Sequence, residues 1–368
     1  MVGKHQFYTS TKSPRSGSNV TDILFTEMSH PDSYKAYAFT EKDGDLKPIT
    51  VPWKDPEPGE VVVKVLACGV CAGDEIVKHQ LFPVPTGYPR IPGHEIIGEV
   101  VAVPPGESYF KVGDRIGSGW HGGHCTVCSD CRSGKYILCG MQKGYINGIY
   151  KDGGYAEYAT LNTHSLLHVS KELGPAEAAP LLCAGVTMFN SLRHMSISPG
   201  EIVAIQGIGG LGHLGIQYAN KMGYNVVAIS TSPSKKDLSL ELGASVYIDS
   251  SQTDPATELQ KLGGAKVIMS CAPSVEAMSS VIGGLANDGT LLLLAPTAEP
   301  LPIPTTEFVN RRLSLRGFPA GSPHDSDEAI RFAQLKGIKT MVQTFTLDQA
   351  QEAFDHRSNA RFRAVILP

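Results

Sequence analysis

Cys125, Cys128, Cys131 and Cys139 fall in the spacing C-x2-C-x2-C-x7-C. Four thiolates on one short loop can wrap a tetrahedral zinc and leave no position open, the signature of a structural site. Stray thiols or two disulfides are the alternatives, but chance seldom gathers four of a chain's eight cysteines within fifteen residues. A closed zinc does no chemistry. A second set could: Cys71 in Gly69-Val70-Cys71, His94 in Gly93-His94-Glu95, and Cys183 in Leu181-Leu182-Cys183-Ala184-Gly185. Two thiolates and an imidazole make a zinc site with the fourth position free. A metal so held polarises a carbonyl or alkoxide oxygen. These three residues are far apart in sequence, and each alone is also compatible with a buried structural role. Cys68 and Cys271 are read that way.

Gly207-Ile208-Gly209-Gly210-Leu211-Gly212 matches G-x-G-x-x-G. It follows an apolar strand, Ile202–Gln206, and opens a helix from Leu211, the context a dinucleotide site requires. Gly207 permits the tight turn, Gly209 lets the backbone approach a pyrophosphate, and Gly212 lets helix and strand pack closely. The helix N-terminus attracts phosphate charge. The next strand ends at Ser230, Thr231 and Ser232, with Lys235 and Lys236 following. An NAD site would place Asp or Glu here to hold the ribose hydroxyls. Hydroxyls and two cations suit a 2′-phosphate instead, so the expected cofactor is NADP(H) rather than NAD(H). As ordinary helix-start residues, the same lysines would only be solvated.

Elements of two textures must position these groups. From Pro48 to Gly123, Pro and Gly punctuate short strands such as Val61–Ala67 and Ile96–Val103, which reads as a β or barrel-like region with long loops. Gly153–Ala159 reads as another strand. Pro175–Leu192 reads as one helix. From Glu201 to Leu294 apolar strands alternate with helices: Ile202–Gln206, Asn225–Ser230, Val246–Ile248, Lys266–Ser270 and Thr290–Leu294 are the strands. That alternation implies a parallel sheet covered on both faces. A helix around Asp325–Leu335 and a strand Ala364–Leu367 follow.

The 368 residues allow two domains, and 42% hydrophobic with 18% charged content is globular. A net charge of −4 gives no basic surface for nucleic acid. No apolar run approaches the roughly 20 residues that cross a membrane. Cysteines at ligand spacing favour a reducing compartment, so a cytoplasmic protein is expected. Residues 1–21, with Lys4, Lys12 and Arg15 and no acid, read as a disordered tail, with a mitochondrial presequence as the alternative.

The chain resembles the zinc-dependent medium-chain alcohol dehydrogenases, in particular the yeast-type and cinnamyl-type branches. The resemblance covers roughly residues 34–368. It rests on Cys-Gly-Val-Cys at 68–71, Gly-His-Glu at 93–95, Gly-Trp-His-Gly-Gly-His-Cys at 119–125, the four-cysteine loop, Cys-Ala-Gly-Val-Thr at 183–187 and Gln-Gly-Ile-Gly-Gly-Leu-Gly-His at 206–213. It implies a tail over 1–33, a GroES-like catalytic domain over 34–172 completed by 317–368, and a Rossmann domain over 173–316. It implies two zincs per chain, with Cys71, His94 and Cys183 holding the catalytic one. Glu95 would be a carboxylate able to approach that metal, and Asp74 would orient the histidine. Phe82 and Trp120 would wall the substrate pocket. Thr187 would face the nicotinamide, and Arg363 would contact the pyrophosphate. Dimers or tetramers are implied.

The pattern departs from the family at Gly73 and Ile76, where the resemblance implies a hydroxyl and often a histidine that pass on the alcohol proton. Neither residue carries a proton. Water in a pocket enlarged at Gly73, or His79 reaching in, would take over. The expected function is therefore NADPH-dependent reduction of a bulky or aromatic aldehyde, or oxidation of the matching alcohol. Two rivals stand beside it: a reductase of activated double bonds, against which seven zinc ligands argue, and a non-catalytic protein that binds NADP and zinc.

Overall fold

The computed structural model describes residues 30–81, 87–140, 145–357 and 362–368. Phe82 lies outside them.

The β-branched run Val61-Val62-Val63 sits at the heart of a sheet ordered Val342–Thr346, Arg363–Leu367, Glu60–Gly69, Ile96–Ala102, Arg115–Ser118 and Leu166–His168. Tyr158–Asn162 pairs alongside the first half of Glu60–Gly69. The central strand serves two cores. Val61, Val63 and Val65 pack in one apolar cluster, while Ala67 packs in the other. A register shift between Val65 and Ala67 accompanies the change of face. A two-stranded antiparallel sheet, Ser33–Phe39 with Leu46–Pro52, lies beside it.

The register of this sheet gathers the site. Cys68 pairs with Ile96, and Ile366 pairs with Cys68. Cys71, His94 and Arg363 therefore all leave the sheet at one end, although they come from three distant segments.

The second sheet runs Val246–Asp249, Asn225–Ser230, Ile202–Gln206, Ala265–Ser270, Leu285–Leu293 and Ser314–Gly317, with every pairing parallel. Its central strands are buried on both faces, as apolar runs bounded by helices require. This is the doubly wound arrangement that the alternation predicts. No helix among the described residues is long and apolar enough to cross a membrane.

Three local differences from the sequence reading have physical causes. The segment Pro175–Leu192 is not one helix. It is a turn of helix at Pro175–Ala178, a 3₁₀ turn at Ala179–Leu182, and a new helix at Ala184–Arg193. Pro180 supplies no N–H to an α ladder, and Cys183 leaves the helical region at φ −128° and ψ −74°. Gly153–Ala159 becomes a strand only from Tyr158. Gly153, Gly154 and Tyr155 instead donate their N–H groups to the carbonyls of Ile91, Gly93 and Pro92. Finally, a helix of five residues, Glu75–His79, follows Cys71. It is too short for a helical period to register in the sequence.

Candidate active site

Cys71, His94, Glu95 and Cys183 bring one ligand atom each within 4.8 Å of one another. The Cys71 and Cys183 sulfurs are 3.9 Å apart. Two thiolates on a tetrahedral zinc, at about 2.3 Å from it, stand about 3.8 Å apart, whereas a disulfide holds its sulfurs at about 2.05 Å. His94 is fully buried, and its Nε2 has no hydrogen-bond partner. A buried nitrogen left so is costly unless something accepts its lone pair. The donor set therefore fits zinc. The break at Cys183 is what turns its sulfur out of the helix path and into this set.

Asp74 stands behind the histidine. It is fully buried, and its Oδ1 receives His94 Nδ1 at 3.2 Å and the Gly93 N–H at 3.3 Å. Its Oδ2 receives the Cys71 N–H at 3.0 Å and the Tyr155 hydroxyl at 2.9 Å. Burial works against a charged His94, but the nearby Asp74 and Cys71 outweigh it and hold the imidazole well above its ordinary range. The hydrogen bond shared with Cys183 holds Cys71 well below the usual thiol range, and His94 adds to that. The same contact and burial push Cys183 well up.

Glu95 is paired with Arg363, and both are buried. Burial pushes the Glu95 carboxyl up to about 7 against the pull of Arg363. Its Oε2 has no partner. Arg363 also touches the glycine loop, because a Cβ on Gly210 would lie 2.8 Å from its Nη1. One guanidinium thus joins the metal-ligand set to the glycine turn, a link of 268 residues that no local pattern announces.

The glycine motif runs from the end of Ile202–Gln206 to the helix Gly212–Lys221. A Cβ on Gly212 would stand 2.1 Å from the Gly207 carbonyl oxygen, so the close packing expected there is present. Nothing lies within 4 Å of a Cβ on Gly209, which leaves the outer face of the loop open. Leu211 is the residue on which the helix starts. Ser230 ends its strand, buried. Thr231 is exposed, and Ser232 caps the 3₁₀ turn that carries Lys235 and leads into Lys236. Asp249, the carboxylate opposite Ser230 in the register, is turned onto Ser251 at 2.7 Å. Thr187 lies one turn into the helix after Cys183, its N–H on the Cys183 carbonyl at 2.9 Å.

Trp120 meets the edge of His94, with ring centroids 4.9 Å apart. It also fills the space beside Gly73, where a Cβ would be 3.1 Å from both Trp120 Cζ3 and His94 Cε1. The expected enlargement of the pocket at Gly73 is therefore absent: the indole occupies that volume. His79 does not reach in either. Its Nδ1 sits 2.7 Å from Asp43 on the surface. Gly73→Ser is accordingly expected to lower stability by about 1–3 kcal/mol, the usual cost of forcing atoms into a filled site. Thermal unfolding checks this, and adding Trp120→Leu should recover part of the loss.

The four-cysteine loop forms a separate group. All four sulfurs lie within 4.8 Å of one another, with 3.9 Å for Cys125–Cys131 and for Cys128–Cys139. The backbone N–H of Cys128 points at the Cys125 sulfur, which helps to lower that thiol to about 6. The N–H of Cys131 points at Cys128 in the same way.

Known proteins resemble this chain over most of its length. The alcohol dehydrogenase GroES-like domain matches residues 57–171, and the zinc-binding dehydrogenase domain matches residues 210–334. The chain is 45% identical to alcohol dehydrogenase patD of Penicillium expansum, over 91% of this chain and 98% of that one. It is 33% identical to a probable cinnamyl alcohol dehydrogenase of Populus deltoides, over 90% and 94%. A cinnamyl alcohol dehydrogenase structure from Sorghum bicolor superposes with a TM-score of 0.81 at 26% identity, covering 91% of this chain and 97% of that one. With its GroES-like and doubly wound halves, the chain belongs to the zinc-dependent medium-chain alcohol dehydrogenase family, and is an oxidoreductase acting on alcohols.

Proposed function

We propose that the protein is an NADPH-dependent reductase of bulky or aromatic aldehydes, working also on the matching primary alcohols. The observation that carries this reading is the convergence of Cys71, His94 and Cys183 beside Trp120, with Arg363 tying that set to the glycine loop. Cys71, His94 and Cys183 would hold a catalytic zinc, and Cys125, Cys128, Cys131 and Cys139 a structural one. The bound groups supply polarisation of a carbonyl oxygen and a hydride.

The chain's own residues do the rest. Asp74 fixes the tautomer and ring direction of His94 by accepting the Nδ1–H hydrogen bond, which leaves Nε2 free to ligate. Trp120 gives an aromatic substrate a flat wall next to the ligand set. Arg363 offers positive charge where the pyrophosphate would cross the glycine loop, and its pairing holds Glu95 at the edge of the ligand set. Thr187, one turn into the helix after Cys183, would face the nicotinamide. Gly73 and Ile76 have no transferable proton, and His79 is engaged by Asp43, so none of these three passes on the proton exchanged at the substrate oxygen.

NADP preference rests on Ser230, Thr231, Ser232, Lys235 and Lys236, with no carboxylate free at the end of the strand. Replacing Lys235 and Lys236 by Ala is expected to raise KM for NADPH about 10-fold and leave NADH unchanged, because two exposed ion pairs to a phosphate together contribute about 1.4 kcal/mol. Initial rates with both cofactors over a panel of aliphatic and aromatic aldehydes test cofactor and substrate class together. Faster NADH than NADPH oxidation, or no preference for aromatic aldehydes, overturns the finer reading. The names of the Populus and Sorghum relatives point to the same substrate class. A double-bond reductase would keep its rate after loss of the Cys71 set. A purely binding protein would hold one zinc, in the four-cysteine loop, and show no turnover.

A further inference from the structure

We infer that Tyr155 is a positioning residue of the metal site: its hydroxyl pins Asp74, and through Asp74 it sets the aim of His94. The inference rests on the reading that Cys71, His94 and Cys183 hold zinc.

Tyr155 is fully buried, and its oxygen donates to Asp74 Oδ2 at 2.9 Å. Asp74 has four acceptor positions, and all four are used: by Cys71 N–H, Tyr155 O–H, Gly93 N–H and His94 Nδ1. Two of the four partners belong to the ligand residues themselves. The two oxygens divide the work. Oδ1 faces Gly93 and His94, while Oδ2 faces Cys71 and Tyr155, so the tyrosine fixes the rotation of the carboxylate about its own axis.

The aromatic ring of Tyr155 is held as firmly as its oxygen. Gly93 adopts φ +103°, and a Cβ there would lie 2.6 Å from Tyr155 Cδ1. The tyrosine ring is thus pressed against the backbone that carries His94. The main chain completes the brace: the N–H groups of Gly154 and Tyr155 bond the carbonyls of Gly93 and Pro92 at 3.0 and 3.1 Å, and Tyr37 N–H holds the Tyr155 carbonyl at 2.8 Å. The hydroxyl is the one polar atom on a side chain otherwise set in an apolar cluster. A phenylalanine would fill that space as well, so packing alone does not call for the oxygen.

Tyr155→Phe keeps the ring and removes the bond. Partners one step out from a metal ligand shift metal affinity about 10–100-fold, and Tyr155 acts one step further, so about 3–10-fold is expected. The purified full-length protein is treated with a chelator, and zinc release is followed with a chromogenic dye. The variant should release the zinc of the Cys71 set about 3–10-fold faster, while release from the four-cysteine loop stays at the wild-type rate. The cobalt-substituted variant should show shifted visible absorption bands, and kcat should fall with KM for the cofactor unchanged. Unchanged release and unchanged cobalt bands overturn the inference, even if the melting temperature falls, since lost packing alone gives that. Equal acceleration at both sites overturns it too, as general loosening. Wild-type protein with one zinc per chain overturns both this inference and the zinc reading beneath it.

Discussion

Cys71→Ala is expected to abolish carbonyl reduction, by about 10³-fold or more, while the chain keeps its fold and one zinc. Polarisation of the reacting oxygen contributes several kcal/mol to lowering the barrier, and each 1.4 kcal/mol or so is tenfold in rate. Removing one thiolate leaves His94 Nε2 and Cys183 with too few partners to hold a metal in a set of three protein ligands. Cys71 also donates its N–H to Asp74, but the backbone group survives the substitution. Zinc per chain by mass spectrometry or atomic absorption, read beside kcat, checks the expectation. Two zincs with wild-type turnover would show that the Cys71 set is not the working site.

The converse experiment targets the loop. Cys131→Ser is expected to remove the other zinc and to lower the melting temperature, with turnover per folded molecule reduced less than tenfold. Cys131 is 4% exposed and Cys139 equally buried. Three remaining sulfurs without their cation leave uncompensated buried groups, and breaking such a charge-paired set costs about 3–5 kcal/mol. At about 2 °C per kcal/mol for a large domain, the melting temperature falls by about 6 °C or more. Chelation of the wild type should reproduce the shift. A variant with unchanged melting and two zincs would remove the structural role from this loop.

These two sites were legible in the sequence to different degrees, for a physical reason. The four-cysteine loop and the glycine turn are local: every group that makes them lies within fifteen residues, so spacing carries their geometry. The parallel sheet was legible for the same reason, since strands such as Ile202–Gln206 and Asn225–Ser230 announce themselves by composition. The Cys71 set is long-range, so spacing supports it more weakly and each member taken singly could be a buried residue; the pairing of Cys68 with Ile96 and Ile366 brings the flanks of Cys71 and His94 together. The break at Cys183 was hidden inside an apparently continuous helical pattern, because periodicity does not report where one residue must leave the helix. The volume beside Gly73 was misjudged because an absent side chain says nothing about which neighbour fills it; here it is Trp120. Tyr155 and the Arg363–Glu95 pair had no signal at all, each joining segments 81 and 268 residues apart.

The break at Cys183 bears on how the protein acquires its metal. The cysteines of the loop span fifteen residues, and closing so short a segment costs little chain entropy, so that loop can capture an ion while the rest of the polypeptide is still unfolded. Cys71 and Cys183 are 112 residues apart, and the second becomes a ligand only after the helix has been interrupted and packed against the first sheet. The second site is therefore a late product of folding. On the proposed two-zinc reading, a refolding chain is expected to take up its first equivalent of zinc early and its second only with the completed tertiary structure, with activity following the second equivalent and not the first.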